Sequence, residues 1–156
     1  MEEELTSKLD DSYTVRLLKE MIGINSVVGR EGELAEYLRG ELEALGLRCE
    51  TQEVELGRPN VYARLEGQAP GRRLNFNGHT DTVPVVEGWE TDPFTPVERE
   101  GRLHGLGSCD MKAGIACTLN MLRAFVESDH GFDGELSFSG VVDEVEDMYK
   151  SQLKTI

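Results

Sequence analysis

The sequence predicts an α/β protein with helices packed on a twisted sheet. Three observations predict it: two amphipathic helical segments near the start, a run of alternating strand-like segments after them, and a further helix followed by a strand. The chain has 156 residues, 38% of them hydrophobic and 29% charged. That length and balance suit one domain with a real core.

Residues 1–11 are acidic and read as a frayed lead-in. From about Tyr13, Val15, Leu18 and Ile22 recur at spacings of three and four, which predicts a helix ending near Gly23 and Asn25. A second helix is expected from Glu31 to Leu45, with Leu34, Leu38, Leu42 and Leu45 as its apolar stripe and Gly46 as its stop. Val54 and Leu56 close one candidate strand near Gly57. Val61, Ala63 and Leu65 alternate with Tyr62, Arg64 and Glu66, the period of a half-exposed strand. Residues 68–71 read as a turn, and Leu74 and Phe76 lead a strand into Gly78-His79. A long polar connection, rich in Gly and Pro, runs from Thr80 to Gly107; connections of that length are commonly functional. A helix from about Met111 to Glu127 buries Ile115, Leu119, Leu122 and Val126. The last strand passes through Leu136, Phe138 and Val141-Val142 to Asp143-Glu144.

Net charge is −14, which repels phosphate backbones and argues against a nucleic-acid partner. No stretch has the length of a membrane-spanning helix, and the N-terminus lacks a secretory pattern; a cytoplasmic protein without membrane contact is expected. Cys49, Cys109 and Cys117 are odd in number and widely spaced, as for reduced thiols.

Three polar clusters stand at element ends: Gly78-His79-Thr80-Asp81 after a strand, Gly105 to Lys112 before a helix, and Asp143-Glu144 after a strand. Ligands gather at the carboxyl ends of strands in open α/β sheets, so the three are expected to converge. A His with carboxylates suits zinc or a similar divalent ion. His79 can supply an imidazole nitrogen, and Asp81, two residues on, shares its face and can orient it. Asp110 can offer a carboxylate, and Glu144 can accept a proton. Each residue alone has a plainer reading: a polar strand end for His79, a helix N-cap for Asp110, a solvated surface for Glu144. His104 and His130 carry no supporting motif, and Lys112 reads as a first-turn helix residue.

In combination, GHTDTVP (78–84), WETDPF (89–94), EGRLHGLGSCDMKAG (100–114) and VVDE (141–144) resemble the M20 metallopeptidase and deacylase family, which includes acetylornithine deacetylases and succinyl-diaminopimelate desuccinylases. The resemblance implies a three-layer catalytic domain of the zinc-exopeptidase type, on a mostly parallel or mixed sheet. It implies that His79 is a metal ligand, that Asp81 orients it, and that Asp110 bridges two metal ions. Glu144 is the implied base, taking a proton from the attacking water and passing it to the departing amine of an N-acyl amino acid or small peptide. Two Zn²⁺ ions, or Co²⁺ in their place, fill a complete site. Gly105 and Gly107 are expected to let the backbone turn ahead of Asp110, and Trp89 and Phe94 to pack their loop onto the domain.

The chain departs from the family pattern in places. Val145 stands where a second glutamate ligand is usual, with Glu146 one residue on, and Leu106 stands where many members carry Arg. Family members are about twice as long or longer, so a further Asp ligand, a distal His ligand and a lid or dimerisation domain are expected to be missing. The tail after Glu144 shows no family pattern, as after a frameshift or truncation. The expectation for this chain is therefore one metal ion or none, and no activity alone. The alternative function is that of a non-catalytic, weakly metal-binding or partner-binding module. An unpaired sheet edge is expected to favour homo-oligomers.

Overall fold

A computed structural model describes residues 2–128 and 131–144. His130, Val145, Glu146 and the tail to Ile156 lie outside the described residues.

The acidic lead-in is a helix, α1 (Glu2–Lys8), where a frayed segment was expected. Asp10 then caps α2 (Asp11–Gly23): its side chain accepts hydrogen bonds from the Ser12 and Tyr13 amides at 2.8 and 3.3 Å, satisfying amides that the first turn leaves free. The buried face of α2 is Leu17, Met21 and Ile22; Val15, assigned to that face from its spacing, is 41% exposed. The next helix, α3 (Gly32–Ala44), buries Leu34, Leu38 and Leu42 as the spacing predicts. It ends before Gly46, whose φ of 83° only glycine adopts readily.

Strand β1 (Arg48–Glu55) turns through Leu56-Gly57 into β2 (Arg58–Glu66), with antiparallel pairing. Strand β3 (Ala69–His79) begins earlier than the sequence indicates: Ala69, Pro70 and Gly71 belong to the strand, not to a turn. Ala69 pairs with Asp133 and Arg73 with Glu135, so an irregularity at the Pro-Gly step absorbs what composition read as a break. The long polar connection contains a small hairpin, β4 (Val97–Arg99) and β5 (Arg102–His104). Ser108–Lys112 form a wide turn that opens into α4 (Ala113–Val126). Of the predicted stripe on α4, Ile115, Leu119 and Leu122 are buried, and Val126 is 39% exposed. Strand β6 (Asp133–Val141) completes the sheet.

The order β1-β2-β6-β3 makes a mixed sheet. β6 runs antiparallel to β2 and parallel to β3, and α4 lies in the crossover that a parallel pair requires. Val61, Ala63, Leu136 and Phe138 point from the sheet into one core with Leu17, Met21, Leu34, Leu38, Leu42, Ile115, Leu119 and Leu122. Helices α2, α3 and α4 thus share one face of the sheet. The opposite face is polar, with Ser137 and Ser139 donating to Asn75 Oδ1, and Tyr62 to Gln52. Strands β1 and β3 form its edges among the described residues. The exposed arginines Arg72 and Arg73 lie along β3, and charge of this kind discourages edge pairing.

Candidate metal centre

Parallel pairing brings the candidate residues together. His79 is the last residue of β3, and its partner in register is Val141, the last residue of β6. The chemistry after both strands therefore emerges at one end of the sheet, the carboxyl end. Successive side chains alternate across a strand. Gly78 faces the helices, where an added β-carbon lies 3.1 Å from Met111 Cε and 3.2 Å from Ile115 Cγ1. His79 takes the other side.

His79 is buried, at 5% exposure, and both ring nitrogens are engaged. Nδ1 lies 2.9 Å from the Asp81 carbonyl oxygen. The Asp81 carboxylate stands 3.7 Å from the same nitrogen and acts on it as a charge more than as a hydrogen-bond acceptor. Nε2 lies 3.0 Å from Asp110 Oδ1 and 3.8 Å from Glu144 Oε2. In the metal-free chain Asp81 foremost, then Asp110, hold the imidazolium, pushing His79 up to about 9 against the opposing effect of burial. Asp81 is itself buried and accepts a hydrogen bond from the Glu144 amide at 3.3 Å.

The structure thus brings all four sequence-predicted residues together. Asp110 is not a helix cap. The capping position of α4 is Lys112, which makes no side-chain cap bond, and Asp110 sits in the preceding turn with its carboxylate exposed and directed at His79. The peptide bond from Asp110 to Met111 is cis. Gly107 does turn the chain, with φ 74°, whereas Gly105 is required by packing: a β-carbon there meets Ile22 Cγ2 at 2.4 Å. Trp89 is 37% exposed and lines a cavity with Val86, Arg99 and His104. The three cysteines are unpaired, Cys109 and Cys117 at the surface.

The donor chemistry fits a divalent cation. One imidazole nitrogen and two carboxylates face each other, and the Asp81 carbonyl holds the Nδ1 proton, so that an arriving cation would displace the Nε2 proton and take that nitrogen's lone pair. Among the described residues no group of three or more His, Cys, Asp or Glu side chains is already gathered around one point; the two carboxylates come in pairwise through His79.

Several supporting residues escaped the sequence reading. Lys112 is buried and donates from Nζ to the Met21 and Ile24 carbonyls at 2.8 and 2.9 Å, pinning the turn that carries Asp110 to the end of α2. Burial depresses its ammonium to about 8. Arg58, at the start of β2, makes a two-pronged ion pair with Glu31, at 2.9 Å from Nε and 2.8 Å from Nη2, and also contacts Asp143. Asn60 Oδ1 accepts from the Val142 amide at 3.0 Å. The Arg58-Pro59-Asn60 triplet after Gly57 was the available signal, but in so charged a chain nothing in the sequence separates a buried arginine from a surface one.

Residues 75–147 match the model of peptidase family M20/M25/M40. A succinyl-diaminopimelate desuccinylase of Legionella pneumophila (strain Lens) is 38% identical over 125 residues, which is 79% of this chain and 32% of the relative. One from Janthinobacterium sp. (strain Marseille) is 38% identical over 85% of this chain and 35% of its own length. The chain therefore spans about a third of these relatives. The fold is shared with human carnosine dipeptidase 1 (TM-score 0.78, 23% identity, 95% of this chain and 35% of that one). It is shared also with the dipeptidase Dug1p of Saccharomyces cerevisiae (TM-score 0.80, 21% identity, 95% and 36%). Pattern and fold agree: over residues 75–147 the chain is similar to peptidase family M20/M25/M40.

Proposed function

We propose that the chain carries the first half of a divalent-metal amide-hydrolase centre, with zinc as the natural ion and cobalt as a substitute. The observation that carries this reading is the His79 ring, fixed at Nδ1 by Asp81 and facing Asp110 and Glu144 with Nε2. His79 and Asp110 hold the ion. Bound there, it polarises an amide carbonyl and acidifies water. Asp81 sets the ring's orientation and tautomer. Glu144 takes the proton of the attacking water and delivers it to the departing amine. The substrate class is N-acyl amino acids or small peptides, supported by relatives named as succinyl-diaminopimelate desuccinylases. The chain is read as the N-terminal part of the catalytic domain, so that full turnover needs ligands beyond those described. The three unpaired thiols support a cytoplasmic setting, and no helix among the described residues is long and apolar enough to cross a membrane.

A ligand that binds only the folded state raises stability by mass action. Added zinc is expected to raise the unfolding midpoint of the chain and to leave Asp110→Ala unmoved. A midpoint equally indifferent to zinc in both proteins contradicts the proposal.

A further inference from the structure

We propose that Arg58 is a positioning residue for Glu144, acting through Asp143. That Glu144 is the base rests on the function proposed above; the anchoring does not.

The strand ladder of β6 ends at Val141, so residues 142–144 lack sheet hydrogen bonds and need other tethers. Three are present. The Val142 amide donates to Asn60 Oδ1 at 3.0 Å, the Asp143 carboxylate meets Arg58 Nη2, and the Glu144 amide donates to Asp81 Oδ1 at 3.3 Å. Asp143 has φ 65°, a left-handed conformation that only Gly, Asn and Asp visit without difficulty. That turn sends Glu144 back toward His79 Nε2. Arg58 holds the turn by its side chain, which is 10% exposed.

The other end of Arg58 is fixed as firmly. Glu31, fully buried, accepts from both Nε and Nη2 of Arg58 and from the Gly29 amide at 2.9 Å. The loop holding Glu31 pairs with the segment after Asp81: Thr82 donates to the Ser26 carbonyl at 2.9 Å, and Val28 donates to the Thr82 carbonyl at 3.1 Å. The tethers close a circuit from Asp81 through Thr82, the 26–31 loop, Glu31, Arg58 and Asp143 to Glu144, and back to Asp81. Buried ion pairs are weak contributors to stability because desolvation offsets their attraction. Their rigid geometry is what this circuit uses. The planar guanidinium reaches three carboxylates at once, Glu31, Asp143 and, from Nη1 at 2.7 Å, Glu55, which an ammonium cannot match.

The test is amide hydrogen exchange, read by NMR on the whole metal-free chain, for wild type, Asp143→Asn and Arg58→Lys. The amide of Glu144 is expected to exchange about tenfold faster or more in both variants, as for local opening, with Ala63 and Phe138 in the central strands unchanged. Unchanged Glu144 exchange in Asp143→Asn, or a rise only in step with Ala63 and Phe138, overturns the proposal. Asp143→Asn leaves the Arg58–Glu31 pair in place, so the test survives even if the Arg58 variant folds poorly. Cobalt(II) titration separates this inference from the metal reading. Cobalt affinity is expected to be little changed in Asp143→Asn, because the residues that hold the ion, His79 and Asp110, keep their partners. Loosened Glu144 with no cobalt binding in any protein leaves the positioning role standing and removes the metal centre. A firm Glu144 with normal cobalt binding does the reverse.

Discussion

Replacing Gly107 with alanine measures how tightly the turn in front of Asp110 is built. Gly107 has φ 74°, and a β-carbon there lies 2.5 Å from Thr82 Cγ2 and 3.3 Å from Cδ and Cε of Lys112. Neither neighbour yields easily. Thr82 is buried and held by backbone bonds to Ser26 and Val28, and Lys112 is fixed at Nζ by two carbonyls. A left-handed conformation costs alanine about 1–2 kcal/mol, and overpacking adds about 1–3 kcal/mol, so Gly107→Ala is expected to lose about 2–5 kcal/mol by summing the two. Two other glycines separate the contributions. Gly46 has φ 83° but open space around it, so its alanine variant carries the conformational cost alone. Gly40 lies within α3 with nothing near its missing β-carbon, so Gly40→Ala is expected to gain about 0.5–1 kcal/mol. Urea unfolding with linear extrapolation reads all three on one scale. Should Gly107→Ala lose no more than Gly46→Ala, the crowding argument is wrong and Thr82 moves freely.

Other consequences are open to the same kind of measurement. Leu119→Ala removes a fully buried side chain of α4 from the core and is expected to cost about 2–5 kcal/mol; a loss under about 1 kcal/mol means that the core collapses around the gap. Lys112→Met keeps the volume but strips the Ile24 carbonyl of its donor, an expected loss of about 1–3 kcal/mol in urea unfolding; equal stability argues that the ammonium merely balances its own burial. Burial first, then Glu41, pushes Tyr13 up from 10.0 to about 12. Its folded phenol is harder to ionise than its unfolded one, so its contribution is fully present below pH 10 and fades as pH climbs toward 12. The alkaline fall in stability is expected to be smaller in Tyr13→Phe, and an identical fall in both proteins refutes the assignment.

Much of the fold was legible because periodicity reports burial directly. Leu34, Leu38 and Leu42 on α3, and Ile115, Leu119 and Leu122 on α4, sit where their spacing puts them. Errors arose where a tertiary contact overrode a local pattern. Val15 has helical spacing but faces outward, because α2 turns Leu17 and Met21 to the core. Pro70-Gly71 has turn composition but lies in an edge strand, where proline's missing donor costs no interior ladder bond. Asp110 has the residue type and position of a helix cap. The wide turn over Ser108–Lys112 moves the helix start past it and frees its carboxylate for His79.

The candidate site was legible to a different degree. His79, Asp81, Asp110 and Glu144 stood out because chemistry-bearing residue types marked the ends of elements, and parallel pairing of β3 with β6 brings those ends together. Arg58, Glu31 and Lys112 were hidden. Their roles depend on burial of charge, and a chain of net charge −14 offers no compositional contrast between a buried ion pair and a solvated one. What betrays them is three-dimensional: a fully buried glutamate beside a guanidinium, and an ammonium seated on a helix end.

The most direct test of the central claim is a count of metal ions. The purified chain is dialysed to equilibrium against dilute zinc and its metal content measured, with His79→Ala and Asp110→Ala carried alongside. Asp110 is exposed, so its variant folds and isolates ligand loss from any damage to the fold. The account predicts close to one zinc per wild-type chain and a clear loss in both variants. Zinc content that is near zero in the wild type, or the same in all three proteins, contradicts it.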